Sequence, residues 1–220
     1  MSTRHDGLPF TEVFSRALQG LPCHVLDLGA DGPVGVPRLL PVADWTRRAD
    51  HHDDALLALC DGPTLDIGCG PGRLVERLVA LGHVALGIDV VPEAVAQTVR
   101  RGAAALHRNV FDALPGEGRW GTALLADGNI GIGGDPVALL SRVRQLLDPR
   151  GRVVVELGAP GTGLSRTRAV ISCDGVRSRP FEWAVVGMDA APCLAAEVGL
   201  QVSATHTTGE RFYAVLEEAA

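Results

Sequence analysis

From Thr64 onward the chain alternates short apolar runs with amphipathic stretches, the pattern of βαβ units feeding a mainly parallel sheet. A strand is expected at Thr64–Ile67. A helix follows at Arg73–Leu81, where Leu74, Val75, Leu78 and Leu81 recur at i, i+1, i+4 and i+7 and share one face. The next strand covers Val84–Asp89, and Pro92 then opens a helix that ends at Arg100-Arg101-Gly102, basic residues in its last turn and glycine just beyond. Further strands are expected at Ala104–His107, Thr122–Ala126 and Arg152–Leu157. The run Val153-Val154-Val155 suits a strand buried on both faces. Between the last two strands, Asp135 as N-cap and Pro136 at the first position start a helix carrying Val137, Leu140, Val143 and Leu147.

The flanks are less regular. Gly32 to Pro41 holds three prolines and two glycines, which forbids a long helix, and residues 1–60 are expected to form a cover segment. Within it, Val25–Gly32 (VLDLGADG) suits a strand or loop, and Thr46–Cys60 turns helical before Asp61-Gly62-Pro63 stops it. Beyond the core, Ala169–Ser172 and Phe181–Val186 flank Asp174-Gly175 and can pair as a hairpin. A helix at Asp189–Val198 ends at Gly199, and strands at Gln201–Thr207 and Phe212–Leu216 close the chain. One domain over 1–220 is expected, with the cover at 1–60, the βαβ core at 61–157 and the closing elements at 158–220.

Composition narrows the function classes. At 220 residues and 46% hydrophobic, the chain can fill one sizeable core. Its apolar runs are too short to span a bilayer, and the opening MSTRHDGLPF lacks a leader's basic-then-apolar layout; a soluble cytoplasmic protein is expected, with no membrane partner. Five scattered cysteines make neither a framework nor a C-x-x-C pair, so free thiols are expected. A net charge of −6 offers no footprint for nucleic-acid backbones, leaving a small molecule as the favoured partner; nothing in the composition speaks to oligomeric state. All twenty basic residues are arginine, which excludes the P-loop lysine and Schiff-base chemistry.

The sharpest feature is LDIGCGPGR, Leu65 to Arg73, where a buried strand becomes a helix. Gly68, Gly70 and Gly72 let backbone turn tightly and approach a ligand, and the helix N-terminus attracts an anionic group. Their spacing is G-x-G-x-G rather than the dinucleotide G-x-G-x-x-G, and Pro71 removes a donor, so the loop favours a single carboxylate over a pyrophosphate. Asp89, at the end of the next strand and 21 residues after Gly68, is placed to accept hydrogen bonds from ribose hydroxyls.

These motifs, together with the GID that ends in Asp89 and the tail RNVFDALP, resemble the successive motifs of class I S-adenosylmethionine-dependent methyltransferases. The resemblance implies a Rossmann-like three-layer αβα sandwich around a mostly parallel seven-stranded sheet with its last strand antiparallel. It implies S-adenosyl-L-methionine as cofactor, whose methionine end carries the single carboxylate. Asp66 would then support the methionine amino group. Gly68, Cys69 and Gly70 would line that moiety, with Gly72 in the same loop, and Asp89 with Val90 would take the ribose. Asn109 followed by Val110 would meet the adenine, with Asp112 as a rival. Asp127, beside the transferable methyl, and Asn129 are the catalytic candidates, Asp127 being the carboxylate nominated as base.

The amino-directed signature of Asn or Asp followed by Pro-Pro-aromatic is missing, which disfavours nucleobase amines. Two alternatives stay open: a non-catalytic S-adenosylmethionine-binding protein, and a NAD-dependent oxidoreductase, which would lack its usual Tyr-Lys pair here. No metal is expected, since Asp127, Asn129 and Glu156 make a thin magnesium set. His51-His52-Asp53-Asp54 suits a solvated helix start better than a metal site, because adjacent helical residues point ~100° apart. Cys69 is read as a small side chain rather than a nucleophile. Trp45 and Trp183 fall in the covering segments and suit core filling, with stacking on an acceptor as the alternative.

Overall fold

The computed structural model describes residues 7–30 and 32–219; most of the opening MSTRHDGLPF and one position of Val25–Gly32 lie outside them. The chain begins with α1 (Phe10–Leu18), then β1 (Cys23–Gly29), β2 (Gly32–Leu39), α2 (Val42–Thr46) and α3 (His51–Leu57). The core follows as β3 (Thr64–Ile67), α4 (Arg73–Ala80), β4 (Ala85–Asp89), α5 (Pro92–Arg100), β5 (Ala105–His107) and β6 (Trp120–Leu125). A short 3-10 turn at Asn129–Gly131 leads to α6 (Pro136–Leu146) and β7 (Leu147–Leu157). The remainder is β8 (Leu164–Cys173), β9 (Val176–Arg177), β10 (Phe181–Val186), α7 (Ala191–Glu197), β11 (Leu200–Thr208) and β12 (Arg211–Glu218).

Seven strands form the main sheet in the order β11-β12-β7-β6-β3-β4-β5. The pairs among β7, β6, β3, β4 and β5 are parallel, while β12, the last strand of the chain, is antiparallel to both neighbours. This is the expected sheet. The pleat divides its core between two helical layers: Ala123, Leu125, Val153 and Val155 face Leu139, Leu140, Val143 and Leu194 of α6 and α7. Leu124, Val154 and Tyr213 alternate to the other face and meet Leu56, Leu57, Leu74 and Leu78 of α3 and α4. Asp66 belongs to this second face by the same alternation, which buries a carboxylate under a helical layer. Among the described residues no helix is long and apolar enough to cross a membrane.

A second, antiparallel sheet in the order β10-β8-β1-β2, with β9 beside β8, roofs the carboxyl edge of the first. The expected hairpin of β8 with β10 is present, in register from Phe181–Ala169 to Val186–Leu164. The irregular cover is largely strand: β1 pairs with β8 on one side and with β2 on the other. Prolines 33 and 37 are tolerated because β2 is the sheet's edge and its residues are mostly exposed. Helix α1 packs on the roof through Val13 and Ala17.

The roof also changes the reading of the thiols. Cys23 and Cys173 are directly opposed across β1 and β8, Cα–Cα 4.4 Å, with their sulfurs in disulfide-bonding contact. Free thiols therefore describe Cys60, Cys69 and Cys193 only. A separation of 150 residues hid the pair, because only sheet register brings the two positions together.

Candidate functional site

Between the roof and the carboxyl ends of β3, β4 and β6 lies a cavity of about 770 Å3, large for a single ligand pocket at ~300–1,000 Å3. Its floor begins at Gly68, whose φ of +75° turns β3 sharply into the glycine loop. A methyl group on Gly68 would come 2.7 Å from Nδ2 of Asn129. That amide donates to the carbonyls of Ile67 and Gly68, both at 2.9 Å, so Asn129 clamps the loop from above. Gly70, at φ +53°, has open space where a side chain would stand, while its own N–H is held by Asp89 and its carbonyl accepts from Thr98 Oγ1 at 2.9 Å.

Asp89 secures the far side of the loop. Its Oδ2 accepts from the Gly70 N–H at 2.9 Å and its Oδ1 from the Val91 N–H at 2.8 Å. Burial pushes its carboxyl up, against these hydrogen bonds, which pull it down. Asp66 is more extreme. It is buried, its Oδ2 has no hydrogen-bond partner among the described residues, and burial together with the nearby Asp127 charge pushes it up to about 8. An acceptor oxygen left without a donor in a dry site is costly unless a ligand supplies one.

The remaining loop positions divide by contact. The Cys69 side chain lies against Gly87, where an added methyl would sit 2.6 Å from its sulfur, and burial raises its thiol well above the ordinary range. This is packing rather than nucleophile chemistry. Gly72 does not border the cavity. A methyl there would approach Thr98 Oγ1 at 2.5 Å, so this glycine serves the contact of α4 with α5 rather than a ligand.

Behind the floor stands an ion network that the sequence concealed. Asp53 is fully buried at the start of α3, where it completes a capping box with Asp50. Its carboxylate receives Arg47, Arg211 and Arg73. Burial alone would raise Asp53; the three guanidinium hydrogen bonds outweigh it and hold the carboxyl far below the usual range. Arg73 also donates to both oxygens of Asp127, at 2.8 and 2.6 Å, and Arg211 to both oxygens of Glu156, each at 2.8 Å. Glu156 Oε2 in turn accepts the Asp127 N–H at 2.8 Å. The expected solvated helix start at His51–Asp54 is thus corrected: one of its carboxylates is the hub of the site's foundation.

Asp127 has a left-handed backbone, φ +51°, followed by Gly128 at +82°. Two such residues in succession bend the chain back over β3 and aim Asn129 at the loop. Burial pushes the Asp127 carboxyl up, while Arg73 pulls it down. With both oxygens occupied by one guanidinium, Asp127 is poorly placed to take a proton. The glycines that follow serve the roof: a methyl on Gly131 would collide with the Ala184 carbonyl, and one on Gly134 would press on Glu182. Their room lets Ile132 bridge to Trp183 and close the roof on the floor.

The cavity therefore gathers Asp66, Gly68, Cys69, Gly70, Asp89 and Val90, and beside them Asn109, Val110, Asp127 and Asn129. Asn109 borders it and Asp112 does not; Asn109 Oδ1 accepts from the Phe111 N–H at 3.1 Å. Sequence reasoning missed Arg73, Arg211 and Asp53. The capping pattern Asp50-x-x-Asp53 and the arginine that ends the glycine motif were the available signals. It weighed Glu156 only as a metal ligand, whereas its oxygens are committed to Arg211 and to backbone.

Residues 65–155 match the family described as Methyltransferase domain. A solved S-adenosylmethionine-dependent methyltransferase from Bacteroides fragilis, in complex with S-adenosyl-L-homocysteine, superposes over 100% of this chain and 98% of its own, with TM-score 0.78 at 20% identity. The CcbJ methyltransferase from Streptomyces caelestis aligns with 80% of this chain and 92% of its own, TM-score 0.62 at 17% identity. The 1,6-didemethyltoxoflavin-N1-methyltransferase of Burkholderia thailandensis covers 86% of this chain and 95% of its own, TM-score 0.59 at 17% identity. No curated protein matches the chain in sequence.

Proposed function

From the premise that residues 65–155 are a methyltransferase domain on the class I S-adenosylmethionine-dependent methyltransferase fold, we propose that the protein binds S-adenosylmethionine and transfers its methyl group to a small-molecule acceptor. The observation that carries this reading is the Oδ2 of Asp66, buried without a partner among the described residues, beside the Gly68–Gly70 turn that borders the cavity. A methionine ammonium is a donor of the right charge for it. Asp89 would accept from the ribose hydroxyls, Val90 would line that moiety, and Asn109 with Val110 would meet the adenine edge. Bound there, the cofactor supplies an electrophilic methyl on a sulfonium.

The chain's own part is alignment. Asn129 and Asp89 hold the loop from opposite sides, and the Arg73–Asp127 pair fixes the end of β6. Among the described residues bordering the cavity there is no histidine or tyrosine, and the chain has no lysine. Asp127 is therefore assigned a positioning role, and the acceptor atom is one that arrives already nucleophilic. Replacing it as Asp127→Asn should slow turnover less than about tenfold and leave the pH profile unchanged, whereas loss of a working general base costs ~10^2–10^4. A steady-state pH series on the variant checks this.

The cofactor assignment is tested by proton linkage. With its carboxyl near 8, Asp66 is largely protonated at pH 7 and must ionise to meet an ammonium. Calorimetry with S-adenosylhomocysteine in buffers of different ionisation enthalpy should show close to one proton released per ligand bound at pH 7. The release should vanish in Asp66→Asn. In the free protein the sign is opposite in effect: a raised carboxyl stabilises the fold below its ordinary range near 4 and withdraws that stability as pH rises through about 8. Absence of binding, or binding with equal proton release in both proteins, would overturn the assignment.

A further inference from the structure

Five aromatic rings form a continuous wall across the roof side of the cavity. Trp45 and Phe14 lie nearly parallel, 20° apart with centroids 5.6 Å from each other. Phe14 adjoins Phe10 at 5.3 Å, Phe10 adjoins Phe181 at 4.7 Å, and Phe181 meets Trp183 edge to face at 6.4 Å. All five border the cavity and none is sealed away from it; each is only half-buried. The chain has nine aromatic residues in all, so most of its ring surface is spent on this wall.

Three separate elements, α1, α2 and β10, contribute the rings, and the pleat of β10 explains two of them. Phe181 and Trp183 stand two apart and share a face, with Ala169 and Thr167 of β8 opposite them in register. Small side chains at those partner positions leave the ring faces open toward the floor. The polar side chains on this side are already partnered: Asp27 with Arg38 through two hydrogen bonds of 2.6 and 2.9 Å, Glu182 with Arg168 at 3.2 Å, and Thr167 donating to the Arg168 carbonyl at 3.2 Å.

We propose that the acceptor is a planar aromatic or heteroaromatic small molecule that lies flat against this wall. The proposal rests on the methyl-transfer reading of the floor and names its substrate class. Stacked and edge-on rings attract one another beyond the area they bury, an advantage a saturated ring forfeits. A sugar or an extended peptide would present many hydroxyls or amides to a wall whose rings offer at most the two indole N–H donors of Trp45 and Trp183 and no acceptor of comparable strength. The wall also carries a ready selectivity for nitrogen heterocycles, since a ring that gains positive charge on methylation faces the negative π surface of Trp183 or Trp45.

Two probes with one fused-ring skeleton separate the possibilities: isoquinoline, which is flat, and N-formyl-decahydroisoquinoline, which is not and whose acylated nitrogen keeps it uncharged as well. Each is titrated into the full chain with and without S-adenosylhomocysteine, and binding is read by quenching of tryptophan fluorescence and by calorimetry. Isoquinoline should bind at least tenfold more tightly than its saturated counterpart. Trp183→Leu and Phe181→Leu should each weaken isoquinoline fivefold or more while leaving affinity for S-adenosylhomocysteine unchanged, with thermal unfolding confirming that each variant is folded. Equal affinity for the two probes, no isoquinoline binding up to millimolar concentration, or indifference to both substitutions would overturn the proposal. Failure of S-adenosylhomocysteine to bind would instead strike the cofactor reading, and the titrations on the unliganded protein would still decide the wall.

Discussion

Asp53→Ala is expected to lower the melting temperature by about 6–20 °C, because removing one partner of a buried ion pair costs ~3–5 kcal/mol and each kcal/mol shifts a chain of this size by ~2–4 °C. The substitution strips a shared counter-charge from Arg73, which is 3% exposed, and from Arg211 and Arg47. Arg73 would keep Asp127, and Arg211 would keep Glu156, so each arginine retains one carboxylate but loses the hub that joins them. The pH dependence has a definite sign. A carboxyl held far below its ordinary value contributes stability that is present above pH ~4 and is lost as pH falls further. Differential scanning calorimetry from pH 3 to 7 should therefore show a steep acid limb in the parent that flattens in the variant. An unchanged melting temperature at pH 7 would show that the network is neutral in stability.

Asp89→Ala should weaken S-adenosylhomocysteine binding at least a hundredfold, equivalent to ~3 kcal/mol. Two losses combine. The ribose hydroxyls lose a charged acceptor, and the N–H groups of Gly70 and Val91 lose the carboxylate that holds the loop against β4. Asn109→Ala should cost less than about tenfold, because that side chain is exposed and its oxygen is turned toward the Phe111 N–H. Calorimetry on both variants orders the two anchors. Equal effects would place the ribose elsewhere.

How much of this was legible in the sequence follows from the range of the forces involved. The strands expected at 64–67, 84–89 and 122–126 form within two residues of those bounds because burial on a sheet imposes local apolar runs, and Pro92 and Pro136 mark helix starts within one turn; the strand expected at 152–157 begins instead at Leu147, which the apolar spacing assigns to the helix. The glycine loop was readable for the same reason: a left-handed backbone at Gly68 and Gly70 restricts residue type at that position alone. The roof was not. Its strands β1 and β8 pair across some 150 residues, and β2 carries prolines that only an edge position permits. The ion network was hidden further still, since no single charge looks unusual until Asp53, Arg73, Asp127, Glu156 and Arg211 meet. Glycines 131 and 134 were legible as special, but their reason, the close approach of β10, belongs to the assembled roof.

The pair Asp53–Arg211 spans 158 residues of chain, and that span sets an order of assembly. At ~5–20 residues per second of synthesis, the buried carboxylate waits about 8–30 s before its distal partner is made. During that interval α3 can cap itself through Asp50 and recruit Arg47 and Arg73, all made earlier or soon after. The foundation of the site is finished only when β12 adds itself to the sheet and delivers Arg211 to Asp53 and Glu156 in one event. The clamps on the glycine loop, Asp89 and Asn129, thus lie within the earlier core, while the ion network behind it closes only with β12.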